Sequence, residues 1–323
     1  MRRAGWVLLA LVALAAAGAP WLAPNPPDVR FDDLLYAPPT PVRVLDGGLR
    51  APFVRPLRVV SRVERRFEEA DRRVPLRWLT GGTLVTAAPD DGAPLLVLGA
   101  DGYGRDIFSR LLYGARTTIG LALLATVLAS LAGALVGGAA GYAGGWLDGV
   151  LSRLSELVLV LPGVYVALAL RAVLPLVLPA PVIFAVLLGI FALLGWPIVA
   201  RGVRAIVLAE RERDYVLAAR AAGAGPVRLL AVHLLPAAGG HVAAQATLLL
   251  PAFILAEATL SYVGLGFPAT TPTWGTMLQD AANVALLGDA PWTLVPAVAI
   301  FVVVLGVNLA VQGSGRAPVQ LDR

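Results

Sequence analysis

Long uncharged runs separated by short polar stretches organise this chain. Gly5–Ala23 is the first, directly behind Arg2 and Arg3. Thr117–Leu147 carries no charge, Leu157–Ala200 carries only Arg171, Val242–Gly264 only Glu257, and Trp292–Val311 none. A hydrocarbon core of roughly 30 Å requires about 20 apolar residues in a helix. The prolines at 175, 179 and 181 divide the third run in two. The pattern therefore predicts six transmembrane helices. A cleaved signal peptide is the rival reading of the first run. That run is long for such a segment and ends at Pro20-Trp21 and Pro24, which favours an uncleaved span.

Arginine placement predicts orientation. With the N-terminus inside, the short outside loops 175–181 and 265–291 contain no Arg, whereas the inside loop 201–239 contains six. Arg2, Arg3, Arg153, Arg316 and Arg323 also fall inside, so both termini are expected in the cytoplasm. Residues 24–99 hold eleven Arg and ten acids, but so long a segment is exempt from the rule.

The expected organisation is an N-terminal helix (1–24), an extracytoplasmic insert (25–99), a membrane core (100–312) and a cytoplasmic tail (313–323). In the insert, Asp46-Gly47-Gly48 and Thr80-Gly81-Gly82 are hairpin-turn signals beside β-branched residues, which predicts a small, mostly β subdomain. Ser61–Asp71 reads alternatively as a short charged helix, and the whole segment as a partly disordered loop. From Arg105 onward, Ile107, Leu111 and Leu112 oppose Arg105, Asp106, Ser109 and Arg110, the pattern of a helix lying in the membrane interface.

Loop 201–239 is expected to hold a helix-turn-helix. Gly223 and Gly225-Pro226 permit a sharp bend, and Val227–Leu235 forms a second short helix closed by Pro236. Its small Ala219, Ala222 and Gly223 surface suits a groove on another protein; an ordinary amphipathic connector is the alternative.

Composition narrows the chemistry. Only 15% of residues are charged, against about 25% in soluble domains. Every basic residue is Arg, which excludes a P-loop of this chain's own, and there is no Cys. The arginines are dispersed with no aromatic-lined groove, so nucleic acid is not indicated. No H-E-x-x-H or G-x-S-x-G appears, and with His233 and His241 the only histidines no metal-ligand cluster is evident. No catalytic, cofactor-binding or metal-binding residue is therefore expected. An ion-driven secondary transporter predicts several buried carboxylates, whereas only Glu257 is deeply placed. Glu257 is expected to hydrogen-bond between helices or to touch cargo; Arg171 is expected to snorkel outward or to attract a carboxylate at the outer mouth.

The spacing Ala218-Ala219-x-x-x-Gly223, followed after nine residues by His233-Leu-Leu235-Pro236, resembles the "EAA" loop of ABC importer permeases. Gly104-Arg-Asp-Ile-Phe-Ser-Arg110, Tyr113-Gly-Ala-Arg116, Gly141-Tyr-Ala-Gly-Gly145, Ile254–Gly266 and Thr271-Pro-Thr-Trp-Gly-Thr-Met-Leu278 resemble its dipeptide, oligopeptide and nickel branch, the "C-type" subunit. Together these segments cover about Leu98–Asn308. The resemblance implies a type I importer permease with a MetI-like, all-α fold. It implies a second permease subunit, two ATPase subunits that use the ATP, and an extracytoplasmic solute-binding protein. The cargo it implies is peptide, with nickel or another small solute as the alternative. It places ATPase coupling on Asp214, Ala218, Ala219, Gly223, His233, Leu235 and Pro236. Leu217 stands where the loop pattern has Glu, so a polar contact to the ATPase is expected either to be missing or to be supplied nearby by Asp214 or Glu212. The ending from Gly313 matches the family only loosely.

Overall fold

The computed structural model describes residues 2–45, 49–62, 64–87, 93–173, 175, 178–282 and 287–311. The Asp46-Gly47-Gly48 turn and the tail from Gly313 lie outside the described residues. The chain is mostly helical, and its backbone divides into two compact units, Met1–Ile119 with Ala258–Arg323, and Gly120–Glu257.

In the first unit, α1 (Arg2–Ala17) and the short α2 (Ala19–Leu22) precede the insert. Six strands follow: β1 (Arg43–Leu45), β2 (Leu49–Val54), β3 (Leu57–Ser61), β4 (Arg66–Glu69), β5 (Val74–Thr80) and β6 (Thr83–Ala87). They make an antiparallel sheet in the order β1-β2-β5-β6 and a separate β3-β4 hairpin. The β5-β6 turn holds Gly81 at φ 64° and Gly82 at φ 83°, the two positive angles that a two-residue hairpin turn requires and that glycine adopts without strain. Val54, Val74, Ala87, Ala93 and Leu95 form one core of this unit. Leu34, Ala37, Leu96 and Ala100 form another, with Leu57 and Phe67 packed on it. Ser61–Asp71 is therefore not a helix. Leu57, Val59 and Phe67 alternate inward on paired strands, and that period-two burial decides between the two readings.

The remaining helices are α3 (Ile107–Ala143), α4 (Gly145–Val160), α5 (Gly163–Val173), α6 (Ala180–Glu210), α7 (Asp214–Ala221), α8 (Pro226–Ala237), α9 (Gly239–Tyr262), α10 (Trp274–Ala281) and α11 (Val295–Val311). The unit boundary falls within α3 and α9. Among the described residues four helices are long and apolar enough to cross a membrane: α3, α6, α9 and the Pro291–Val311 stretch that ends in α11. The other two predicted spans fall on broken helices. The first is interrupted at Gly18, and the third at Leu161, whose extended backbone (ψ 126°) is the conformation that a following proline, Pro162, imposes.

The expected interfacial helix also differs. From Ile107 the chain runs without a break into α3, and the polar residues before and within its first turns are buried. Arg105 donates from Nε to Asp101 (2.7 Å), and Arg105 and Arg110 both donate to the Ala269 carbonyl (2.7 and 3.1 Å). Asp106 accepts from Asn25 and Ser109. Burial pushes its carboxyl pKa up, against the lowering effect of those hydrogen bonds. These charges are satisfied by protein partners, which is why they need no water.

Within the second unit, Gly133, Gly137 and Gly141 form one stripe of α3, four residues apart. A Cβ on Gly137 would stand 2.3 Å from the Ala200 carbonyl oxygen, and one on Gly141 2.8 Å from that of Arg204. The stripe therefore lets α3 and α6 touch backbone to backbone, the close approach that small residues give in a membrane. Phe191 of α6 stacks on Phe253 of α9, with ring centroids 5.3 Å apart.

Candidate functional site

The loop between α6 and α9 is built by three local devices. Asp214 opens α7 in the first turn and Arg220 closes it in the last, each matching the charge of its helix end. After Ala221 the chain reverses in a Schellman turn. Gly223 N donates to the Arg220 carbonyl and Ala224 N to the Ala219 carbonyl, both at 3.0 Å, and Gly223 has φ 87°. Pro226 then starts α8, whose Leu229–Leu234 stretch is a π turn. Pro236 has no N–H for the α-helical ladder, and Leu235 N donates five residues back, to Leu230. The second helix does not end at Pro236: it continues to Ala237 and breaks at Ala238.

Val216, Leu229 and Leu234 are buried and anchor the loop. Tyr215 links its parts, its ring 6.2 Å from that of His233 and its hydroxyl donating to Glu210 (2.8 Å). The bond to Glu210 holds the Tyr215 hydroxyl pKa above its usual range. The opposite side faces outward. Asp214, Ala218, Gly223 and Pro236 are exposed, Ala219, His233 and Leu235 half-buried, and Leu217, Val227 and Val232 are apolar side chains in the open. Leu235 lies against α3, since a Cβ on Gly138 would meet its Cδ2 at 2.9 Å. The predicted loop residues thus come together on one element, but not all on one face. Leu235 packs inward, and Gly223 shapes the backbone, with nothing within 4 Å of where its Cβ would be.

The other two candidates belong to other helices. Glu257 is fully buried in α9. Arg171 belongs to α5, and its side chain lies outside the described residues.

Sequence reasoning missed what supports the loop. Arg204 holds Asp148, near the start of α4, with a two-point fork, Nη2 to Oδ2 at 2.7 Å and Nε to Oδ1. Arg211 Nη1 donates to the Gly141 carbonyl at 3.1 Å, and the Arg220 guanidinium lies 6.0 Å from the centre of the Tyr142 ring. The four-residue glycine spacing from Gly133 was the available signal for the helix pair. The arginine contacts depend on tertiary placement that no spacing encodes.

Comparison with known proteins places these features in company. Residues 133–317 match a family described as binding-protein-dependent transport system inner membrane component. The chain is 32% identical over 310 residues to a di/tripeptide transport system permease protein DppC of Pseudomonas aeruginosa, covering 96% of this chain and 84% of that one. It is 36% identical over 315 residues to the dipeptide transport system permease protein DppC of Escherichia coli K12, covering 96% and 85%. A putative peptide permease protein of Brucella ovis is 37% identical over 216 residues, 67% of this chain and 70% of that one.

Proposed function

We propose that this chain, which belongs to the family of binding-protein-dependent transport system inner membrane components, is one permease half of an ATP-driven importer that moves peptides into the cell. Peptide is the cargo in the names of the relatives from P. aeruginosa and E. coli, and an alignment over 96% of the chain supports carrying that class across. The structural observation that carries the reading is the α7–α8 element. Its small and apolar side chains stand exposed on a turn whose backbone bonds are already satisfied. A chain without a P-loop lysine takes ATP energy through contact with another chain, and this surface suits that contact.

In this assembly the chain pairs with a second permease and receives cargo from an extracytoplasmic binding protein. Two ATPase subunits hydrolyse the ATP, and this chain contributes no catalytic group or cofactor. It makes six crossings of the cytoplasmic membrane, with α1–α2 and α4–α5 completing those formed by α3, α6, α9 and Pro291–Val311. Both termini and the α7–α8 element lie in the cytoplasm, a reading that the arginine distribution supports. Closure of the ATPase pair displaces α7–α8, and the two access states differ in the contacts this displacement makes and breaks. Proteoliposomes holding all the subunits test the reading: labelled dipeptide uptake should require both ATP and the binding protein. Uptake that follows an ion gradient without ATP would sink it.

A further inference from the structure

On the basis of that function, we propose that Arg211, aided by Arg204 and Arg220, is a positioning residue that ties the α3–α4 turn to the base of the α7–α8 element, so that the two move as one piece. The last turn of α3 leaves carbonyls without helical partners. Gly144 N takes that of Ala140 (3.1 Å), and Arg211 takes that of Gly141. A cation at this helix end is also favoured by the helix dipole. The same guanidinium covers Gly144, where a Cβ would stand 3.3 Å from Nη1.

Gly144 and Gly145 are consecutive residues in the left-handed region, at φ 65° and 57°. They bring no side chains to hold the turn they form, so its contacts come from outside. Three arginines supply them from three successive stretches. Arg204 of α6 grips Asp148 on the far side of the turn, Arg211 at the α6–α7 junction grips Gly141, and Arg220 of α7 lies over Tyr142. The junction itself is braced, since Glu210 accepts from Tyr215 at 2.8 Å and pairs with Arg213 at 3.5 Å. A displaced α7 therefore pulls on residues 141–148 rather than flexing at 211–213.

The test measures ATP hydrolysis and dipeptide uptake on the same proteoliposomes of the complete assembly. Arg211→Gln should leave ATP hydrolysis little changed while uptake per ATP falls roughly 5-fold or more, the lower end of ordinary coupling energies. Arg211→Lys should recover most of the ratio, because an ammonium still donates to the Gly141 carbonyl. If Arg211→Gln does not assemble, Arg220→Gln, whose contact is a half-exposed ring, is measured by the same ratio with the same expectation. An unchanged ratio overturns the proposal, and so does a loss explained wholly by failure of the ATPases to co-purify, which would make Arg211 a docking residue. Absence of ATP-dependent uptake in the unsubstituted assembly would instead remove the underlying function.

Discussion

Gly137 lies so close to Ala200 that a methyl group on it would come within 2.3 Å of the Ala200 carbonyl oxygen. The obstacle is backbone, so no rotamer relieves it. Gly137→Leu should cost about 1–3 kcal/mol, the usual range for overpacking, with a lower melting temperature in detergent. Gly120→Ala, in the same helix with nothing within 4 Å, is the control and should melt at or above the parent.

Gly223 and Ala218 separate shape from contact. Gly223→Ala forces a left-handed backbone on an L residue and should cost about 1 kcal/mol of stability, read by thermal melting. Ala218→Trp fills an exposed site on the same element and should leave melting unchanged while the ATPase subunits no longer co-purify.

Leu217 is 46% exposed. Leu217→Glu should therefore change stability by no more than about 0.5 kcal/mol. Co-purification of the ATPases should be equal or stronger, since an acid is restored where the loop pattern carries one. A fall in co-purification would show that Leu217 itself makes the contact.

Asp101 serves two buried arginines, Arg105 at 2.7 Å and Arg110 at 3.6 Å. Asp101→Ala would remove the carboxylate that faces both buried cations and should cost about 3–5 kcal/mol, seen as poor yield and early melting. Replacing Arg62, whose pair with Asp33 is largely exposed to water, should change stability by less than about 1 kcal/mol.

Asp106, just before α3, should give stability a pH dependence. Burial raises its pKa, so its contribution is complete below the unfolded value of about 3.9 and is lost as pH rises through the folded value. Melting of Asp106→Asn should therefore shift relative to the parent as pH rises above about 4. A difference from the parent that stays constant across pH would contradict the assignment.

The apolar runs made α3, α6, α9 and α11 legible, because helix length and hydropathy are properties of contiguous residues. The break at Leu161 was not, although Pro162 stands in plain view: an unbroken apolar run hides a proline that has no polar neighbours. Arg105, Asp106 and Arg110 were misread for a related reason. Amphipathic spacing predicts water on the polar side and cannot reveal that Asp101, Asn25 and the Ala269 carbonyl take its place. In the loop, Gly223 declared its turn, while the division between exposed Ala218 and inward Leu235 needed Gly138 of α3 for its explanation.

The Schellman turn at Gly223 has a thermodynamic consequence for association. Its backbone donors are spent within the loop, and Val216, Leu229 and Leu234 fix the element from beneath. A partner meeting this surface orders side chains but not main chain, and avoids the roughly 1–2 kcal/mol per residue that fixing a coil backbone costs. The surface is preorganised, so its small area of exposed alanine, leucine and valine can go toward affinity rather than toward folding.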